Sequence, residues 1–398
     1  MFIELFLKEC KQVLKSLTYL IIVAFIILFY FTQFDSSNTV VKPKEGLESY
    51  GSKYSDDKNV IMRESLRGLV YEYSANSYIA YPIGFYKQVI MKDEKQVKIK
   101  DIIEKITGLP IDKVEKLGRN EIFPDSSISY EQFEDLMGKA DKIIGGGTNY
   151  TEKALYINAE VPMTYEEALE EYNSLLYDDR ITNATARLFS DYMGIILAIL
   201  PVFLAVTRSL RDKRSLADGV IFAKKSSSVN IILSRYLANV VMLLLPLMII
   251  AIFPTLECNY LGDIVGIKAD SLAFYKYIFA WLLPTILITT SVGFFITELT
   301  NSALAILFQG GWWFVSIFMS VNNLVGNVGM NLVPRFNSEG SYHVFEKIFD
   351  ELVLNRITYS ILGILLILAT VFVYETKRKG KWNEHGKIFR NKQDGILA

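Results

Sequence analysis

Cysteine and histidine are nearly missing from this chain. Its 398 residues include two of each, Cys10 and Cys258, His343 and His385. Two cysteines build no disulfide framework. In the six-span topology given below they fall on opposite faces of a membrane, as do the two histidines, so neither pair can meet in a metal cluster. No HExxH, GxSxG or CxxC motif occurs, and the sequence offers neither a catalytic residue nor a metal ligand. A phosphate-binding loop is also lacking. The nearest approach, GLESYGSK over 46–53, has an extra residue before its lysine and lies on the outer side, where ATP is not available. The net charge of −1 gives no reason to expect a nucleic-acid partner.

What the chain does have is apolar residues, 51% of the total with a mean hydropathy of +0.26, clustered into runs. The expected class is an α-helical polytopic membrane protein with six transmembrane helices. An α-rich (α+β) extracytoplasmic domain is expected between helices 1 and 2. Residues 1–16 alternate apolar Phe2, Ile3, Phe6 and Leu7 with Glu4, Lys8, Glu9 and Lys11 at helical spacing, which reads as an amphipathic helix in the inner interface. The first run covers 17–34. Lys8, Lys11 and Lys15 ahead of it place its start in the cytoplasm.

Residues 35–187 are polar enough and long enough for a domain of their own. Helical pieces are expected at 60–77, 96–107, 130–144 and 165–176, the last two opening on capping boxes, Ser129 with Gln132 and Thr164 with Glu167. The stretch 78–91 reads as extended. Tyr71, Tyr73, Tyr78, Tyr81, Phe85 and Tyr86 make either a small core or an aromatic ligand surface. Gly145-Gly146-Gly147 marks a turn.

Further runs follow at 188–206, 236–253, 274–296, 303–321 and 357–374, with an outer loop over 322–356 that holds a short helix near 344–354. Asp191 reads as a snorkelling interface residue or as a charge facing a conduit. Gln309, beside Gly310 and Gly311, either faces a pathway or bonds a neighbouring helix. The two glycines would let helices approach closely. Trp312 and Trp313 read as packing or gate residues. Three regions are basic: the N-terminus, the loop 207–235 and the tail 375–398 with Lys377, Arg378, Lys379, Lys381, Lys387, Arg390 and Lys392. Six spans put all three on the cytoplasmic side of the plasma membrane, both termini included.

The loop carries Arg208, Arg211, Lys213, Arg214, Lys224, Lys225 and Arg235 against Asp212 and Asp218. The segment DKRSLADGVIFAKKSSSVNIILSRYLANVVMLLLP and the ending NRITYSILGILLILATVFVYETKRKGK resemble the permease subunit of an ABC transporter of the type-2 exporter class. The branch they are most like has a large outer domain between the first two spans. The resemblance implies a bacterial exporter that moves an amphipathic, lipid-like or peptide substrate. It implies two permease subunits, as a homo- or heterodimer in membrane lipid, and a separate ABC ATPase dimer that binds ATP and Mg. This chain itself would hold no cofactor. It further implies that a coupling helix in the loop docks on the ATPase, through Phe222, Lys224, Lys225, Ser226, Ser227, Ser228 and Asn230, with Arg235 at the foot of the third span. Gln309, Gly310, Trp312 and Trp313 would line the substrate path. The competing expectations are a membrane signalling or assembly protein whose outer domain binds a ligand, and a membrane enzyme with its site in that domain.

Overall fold

The structure, a computed structural model, describes residues 2–34, 40–82, 86–152, 154–320 and 324–380. Phe85, Val321 at the end of the fifth run, His385 and the tail cations Lys381, Lys387, Arg390 and Lys392 lie outside them. The described chain is mostly helical. Three helices, Ser228–Val265, Ala273–Thr300 and Tyr342–Arg378, are long and apolar enough to cross a membrane. The number rises to five when each of two bent pairs counts as one span.

The first bent pair is α1 (Phe2–Leu14) and α2 (Leu17–Gln33), at 67°. Ser16 makes the corner. Its hydroxyl donates to Val13 O at 2.8 Å and accepts from Tyr19 N at 3.2 Å, closing one helix and capping the next. Ile3, Leu7 and Leu14 point outward from α1, whereas Glu9, expected on its polar face, is buried.

Between α2 and the next long helix lies a second hydrophobic core that shares no buried residue with the bundle. Strand β1 (Ser52–Tyr54) is followed by α3 (Lys58–Ala75), β2 (Tyr78–Ala80), β3 (Lys87–Val89), α4 (Asp93–Thr107), α5 (Ile111–Val114), α6 (Tyr130–Ile144), β4 (Glu160–Pro162) and α7 (Tyr165–Tyr177). Leu66, Leu69, Ile99, Ile103, Phe133 and Met137 fill the core between α3, α4 and α6. Both capping boxes form. The extended stretch is the antiparallel β2–β3 hairpin. Tyr78 joins the core and Tyr73 packs on it, but Tyr71 and Tyr86 are exposed, so the aromatic cluster is only partly core. Gly145, Gly146 and Gly147 all take positive φ, and a Cβ on Gly147 would lie 2.3 Å from Tyr81 O. Strands β1 and β4 pair antiparallel, bringing the domain's entry and exit side by side.

The second bent pair is α8 (Thr182–Leu197) and α9 (Leu200–Arg214), at 40°. A short α10 (Asp218–Phe222) leads to α11 (Ser228–Ile250) and α12 (Ile252–Val265), which continue one another. The third run is therefore longer at both ends than 236–253, and helix continues to Val265 in the gap before the fourth run. Next come α13 (Ala273–Tyr277), a π-helical turn over Ile278–Leu282, and α14 (Leu283–Thr300). Helix α15 (Leu304–Phe318) has 15 residues. At 1.5 Å per residue that is about 23 Å, short of a bilayer core of about 30 Å.

The expected outer loop 322–356 is largely not a loop. Its second half belongs to α16 (Tyr342–Arg378), an unbroken helix of 37 residues. Its first half, after strands β5 (Val325–Asn327) and β6 (Arg335–Phe336) have paired, turns back into the bundle: residues 331–336 are all buried. Leu332 and Val333 pack with Ala198, Ile288 and Val292 from the middles of α8–α9 and α14.

Helix α14 is the hub. A Cβ on Gly363 of α16 would come within 3.2 Å of its backbone at Leu287 and Ile288, and Ser291 Oγ donates to Gly363 O at 2.8 Å. On another face Gly293 meets Ala205 and Val202 of α9.

Candidate functional site

The loop between α9 and α11 is where the chain's local chemistry converges. Helix α9 ends at Arg214, and Leu216 takes a positive φ of 55°, turning the chain into α10. The helical piece is 218–222. The expected docking stretch, 222–230, is instead a turn followed by the first residues of α11. Ser227 caps α11, accepting from Asn230 N at 3.2 Å.

The back of this loop is held by the end of α16. Arg378 donates to three alternate carbonyls of the turn: Nε to Phe222 O at 3.0 Å, Nη2 to Lys224 O at 2.5 Å and Nη1 to Ser226 O at 2.6 Å. Phe222 O is the last carbonyl of α10, left without a helical donor, and Lys224 O and Ser226 O lie in the turn beyond it. One turn earlier on α16, Ser228 donates to the Glu375 carboxylate and the Phe222 ring meets Tyr374 edge-on at 5.5 Å. Phe222 thus faces inward. The outward face holds Lys224, Lys225, Ser227, Leu216 and Val220, the last two being 86% and 65% exposed.

The flanks are fixed by charge. Glu9 of α1 takes a two-pronged bond from Arg208 at 2.5 and 2.6 Å, and Arg208 also meets Asp212 at 3.3 Å. Arg235 pairs with Asp212, lies 3.8 Å from Glu9 and stacks over Tyr374. Arg235 is therefore buried, behind the docking face and not on it. Lys213 and Lys377 converge on Asn301 and Glu298 at the foot of α14.

Of the residues expected to line a path, Gln309, Trp312 and Trp313 have partners within the chain. Where α8 and α9 bend, Ile199 N and Val202 N bond one residue short of the α-helical register, to Ile196 O and Ile199 O. Ile195 O and Ala198 O are left over. Trp313 Nε1 donates to the first at 2.8 Å and buried Gln309 Nε2 to the second at 2.6 Å. Trp312 packs against Phe308 and Tyr359. Gly310 and Gly311 face open space, so they bring no helix of this chain close.

Asp191 does not snorkel and faces no conduit. It is wholly buried, bonded to Arg335 at 2.8 and 3.0 Å and to Phe336 N at 2.7 Å. Beside it, Arg187 pairs with Asp179 and stacks on Phe336 and Phe345. These bonds anchor the returning segment. Its carbonyls are met in turn by three residues on α16. Asn355 donates to Gly329 O at 2.7 Å and Asn331 O at 2.9 Å, Tyr359 to Met330 O at 2.8 Å and Arg356 to Leu332 O at 3.3 Å. Irregular backbone inside a helical bundle needs such donors. Arg356 gives its other bonds to Trp281 O, Thr285 Oγ1 and Asn355 Oδ1, so carbonyl and hydroxyl dipoles surround its charge.

Sequence reasoning missed Arg378, Glu375, Asn355 and Arg356 as site residues. The first two read as tail charge. Arg356 stands at the edge of an apolar run, and a charge pressed against such a run was the available signal. Among the described residues no cluster of His, Cys, Asp and Glu is arranged to hold a metal ion.

Fold and site together define a helical protein built around bilayer-length apolar helices, with a separate folded core between α2 and α8. No family model, no curated protein and no solved structure matches the chain.

Proposed function

We propose that this chain is the membrane-spanning permease subunit of an ATP-driven exporter of the type-2 class, with a partner ATPase as its motor. In this reading the chain crosses the bilayer six times, through α2, α8–α9, α11–α12, α13–α14, α15 and α16, with α1 lying in the inner interface and the short α15 accommodated by local thinning of the bilayer. The 61–159 core then stands outside, and the α9–α11 loop and both termini stand inside. The substrate is amphipathic, lipid-like or a peptide, and it passes between two such subunits.

The observation that carries this reading is the loop itself. A free tether needs no anchoring, whereas this loop is held from behind by Arg378 and presents an apolar and basic front of Leu216, Val220, Lys224 and Lys225. A small, rigid, exposed face is what docking on a soluble motor requires. Magnitudes decide which part of it matters. Exposed ion pairs contribute about 0.2–1 kcal/mol each, while burying a valine or leucine side chain contributes about 1.5–3 kcal/mol. The apolar residues therefore dominate, and the lysines orient.

The test is affinity purification of the full chain from its own host, followed by detection of a co-purifying ATPase. Val220→Asp is expected to abolish co-purification. Lys224→Glu with Lys225→Glu is expected to reduce it, and neither variant should lower the amount of chain in the membrane. Recovery of a signalling protein and no ATPase would overturn the proposal.

A further inference from the structure

Helix α16 touches both irregular segments of the bundle. At its inner end Tyr374, Glu375 and Arg378 hold the α10 loop. Nearer its other end Asn355, Arg356 and Tyr359 hold the backbone of 329–332. From Asn355 to Arg378 the helix has no break. These 24 residues span about 35 Å. The other long connections are interrupted: α8–α9 bends by 40°, and α11 carries Pro246 and gives way to α12 at Ala251. Midway, Gly363 seats α16 against α14, and Lys377 ties the same two helices at Glu298 and Asn301.

We propose that α16, seated on α14, is a strut that couples the position of the α10 loop to the position of the returning segment 328–336, and that Arg378 is the positioning residue at its inner end. The physical argument is one of stiffness. An unbroken helix passes an axial displacement along its length, while a bent or interrupted one absorbs it at the break. The bonds at each end suit this role. A guanidinium fork on three carbonyls fixes a turn in orientation as well as in place. At the far end four carbonyls are fixed by donors on barely more than one helical turn. When the loop moves, Arg378 carries α16 with it, and the donors under 329–332 move too. In the exporter reading, on which the functional meaning of this coupling rests, the strut links motor docking to the exit side. The coupling itself needs no motor.

The test is hydrogen exchange on the full chain in lipid nanodiscs, with no partner present. Arg378→Gln is expected to speed exchange in 218–227 and also in 328–336, while α3, α4 and α6 stay unchanged. The remote change should be about two- to thirtyfold, the span of known long-range couplings. Coupling is reciprocal. Asn355→Leu, which loosens the far end, must therefore speed exchange in 222–228. Arg378→Lys keeps the charge but not the fork, and should give an intermediate effect at both places. A response to Arg378→Gln confined to 218–227, with none at the inner loop from Asn355→Leu, would reduce the contacts to local anchors and overturn the strut. Should Arg378→Gln unfold the chain, Asn355→Leu alone decides by the same reciprocal readout. An absent ATPase partner would refute the exporter reading and leave these exchange results standing.

Discussion

Asp191 and Arg335 form a charge pair with almost no access to solvent. Removing one member of such a pair strands the other, which costs about 3–5 kcal/mol, whereas replacing both with apolar residues of like volume is often neutral. Asp191→Asn is therefore expected to lower the thermal unfolding midpoint in detergent clearly, and Asp191→Leu with Arg335→Met to recover most of the loss. In the second core, half-buried Glu72 accepts from Tyr150 Oη at 2.7 Å and Ile79 N at 3.1 Å, and burial raises its pKa above the ordinary glutamate value. A raised folded pKa means that the protonated acid favours the fold. That contribution is complete below the unfolded value of about 4.3 and is lost as pH rises through the higher folded value. Protection of α3 and β2 amides, corrected for intrinsic exchange, should fall as pH climbs through that window. Glu72→Gln should flatten the dependence.

Glycines divide the helices into those that pack closely and those that do not. Gly293 has no room for a side chain, since its Cβ would lie 2.6 Å from Ala205 Cβ, while Gly310 and Gly311 have open space. Gly293→Val is expected to destabilise by about 1–3 kcal/mol through overpacking. Gly310→Ala should be neutral, or stabilising by up to about 1 kcal/mol, because alanine favours helix. Thermal unfolding of the two variants side by side checks both. The contrast also marks what the sequence made legible. Capping boxes at Ser129 and Thr164, the glycine turn at 145–147 and the extended character of 78–91 were readable because each is local. The break at 198–200 and the return of 331–336 were not. NLVPRF is too short and too charged to register as a buried run, and its partners Asp191 and Asn355 are far away in the chain. The loop was found by its charge and its site between two apolar runs. Its clasp was not, because Arg378 acts across some 150 residues and is one cation among many in a basic end.

Taken as one object, the chain has two hydrophobic cores joined through α7, whose Leu176 and Tyr172 pack into the bundle core. Gly340 and Ser341 also lie against Glu171 of α7, and Lys347 approaches Asp56 at 3.6 Å. An exposed pair such as Lys347 with Asp56 contributes little, so the core over 61–159 is expected to keep its fold when the bundle is altered. The exporter reading depends on that core and the α10 loop standing on opposite sides of the membrane. With Cys10 and Cys258 replaced by serine, single cysteines introduced by Tyr71→Cys and Lys224→Cys can be probed in intact cells with a membrane-impermeant maleimide. Labelling at 71 without permeabilisation, and at 224 only after it, is the predicted result. Labelling at 224 in intact cells would put the loop outside, beyond reach of any ATP-driven partner, and would contradict the account.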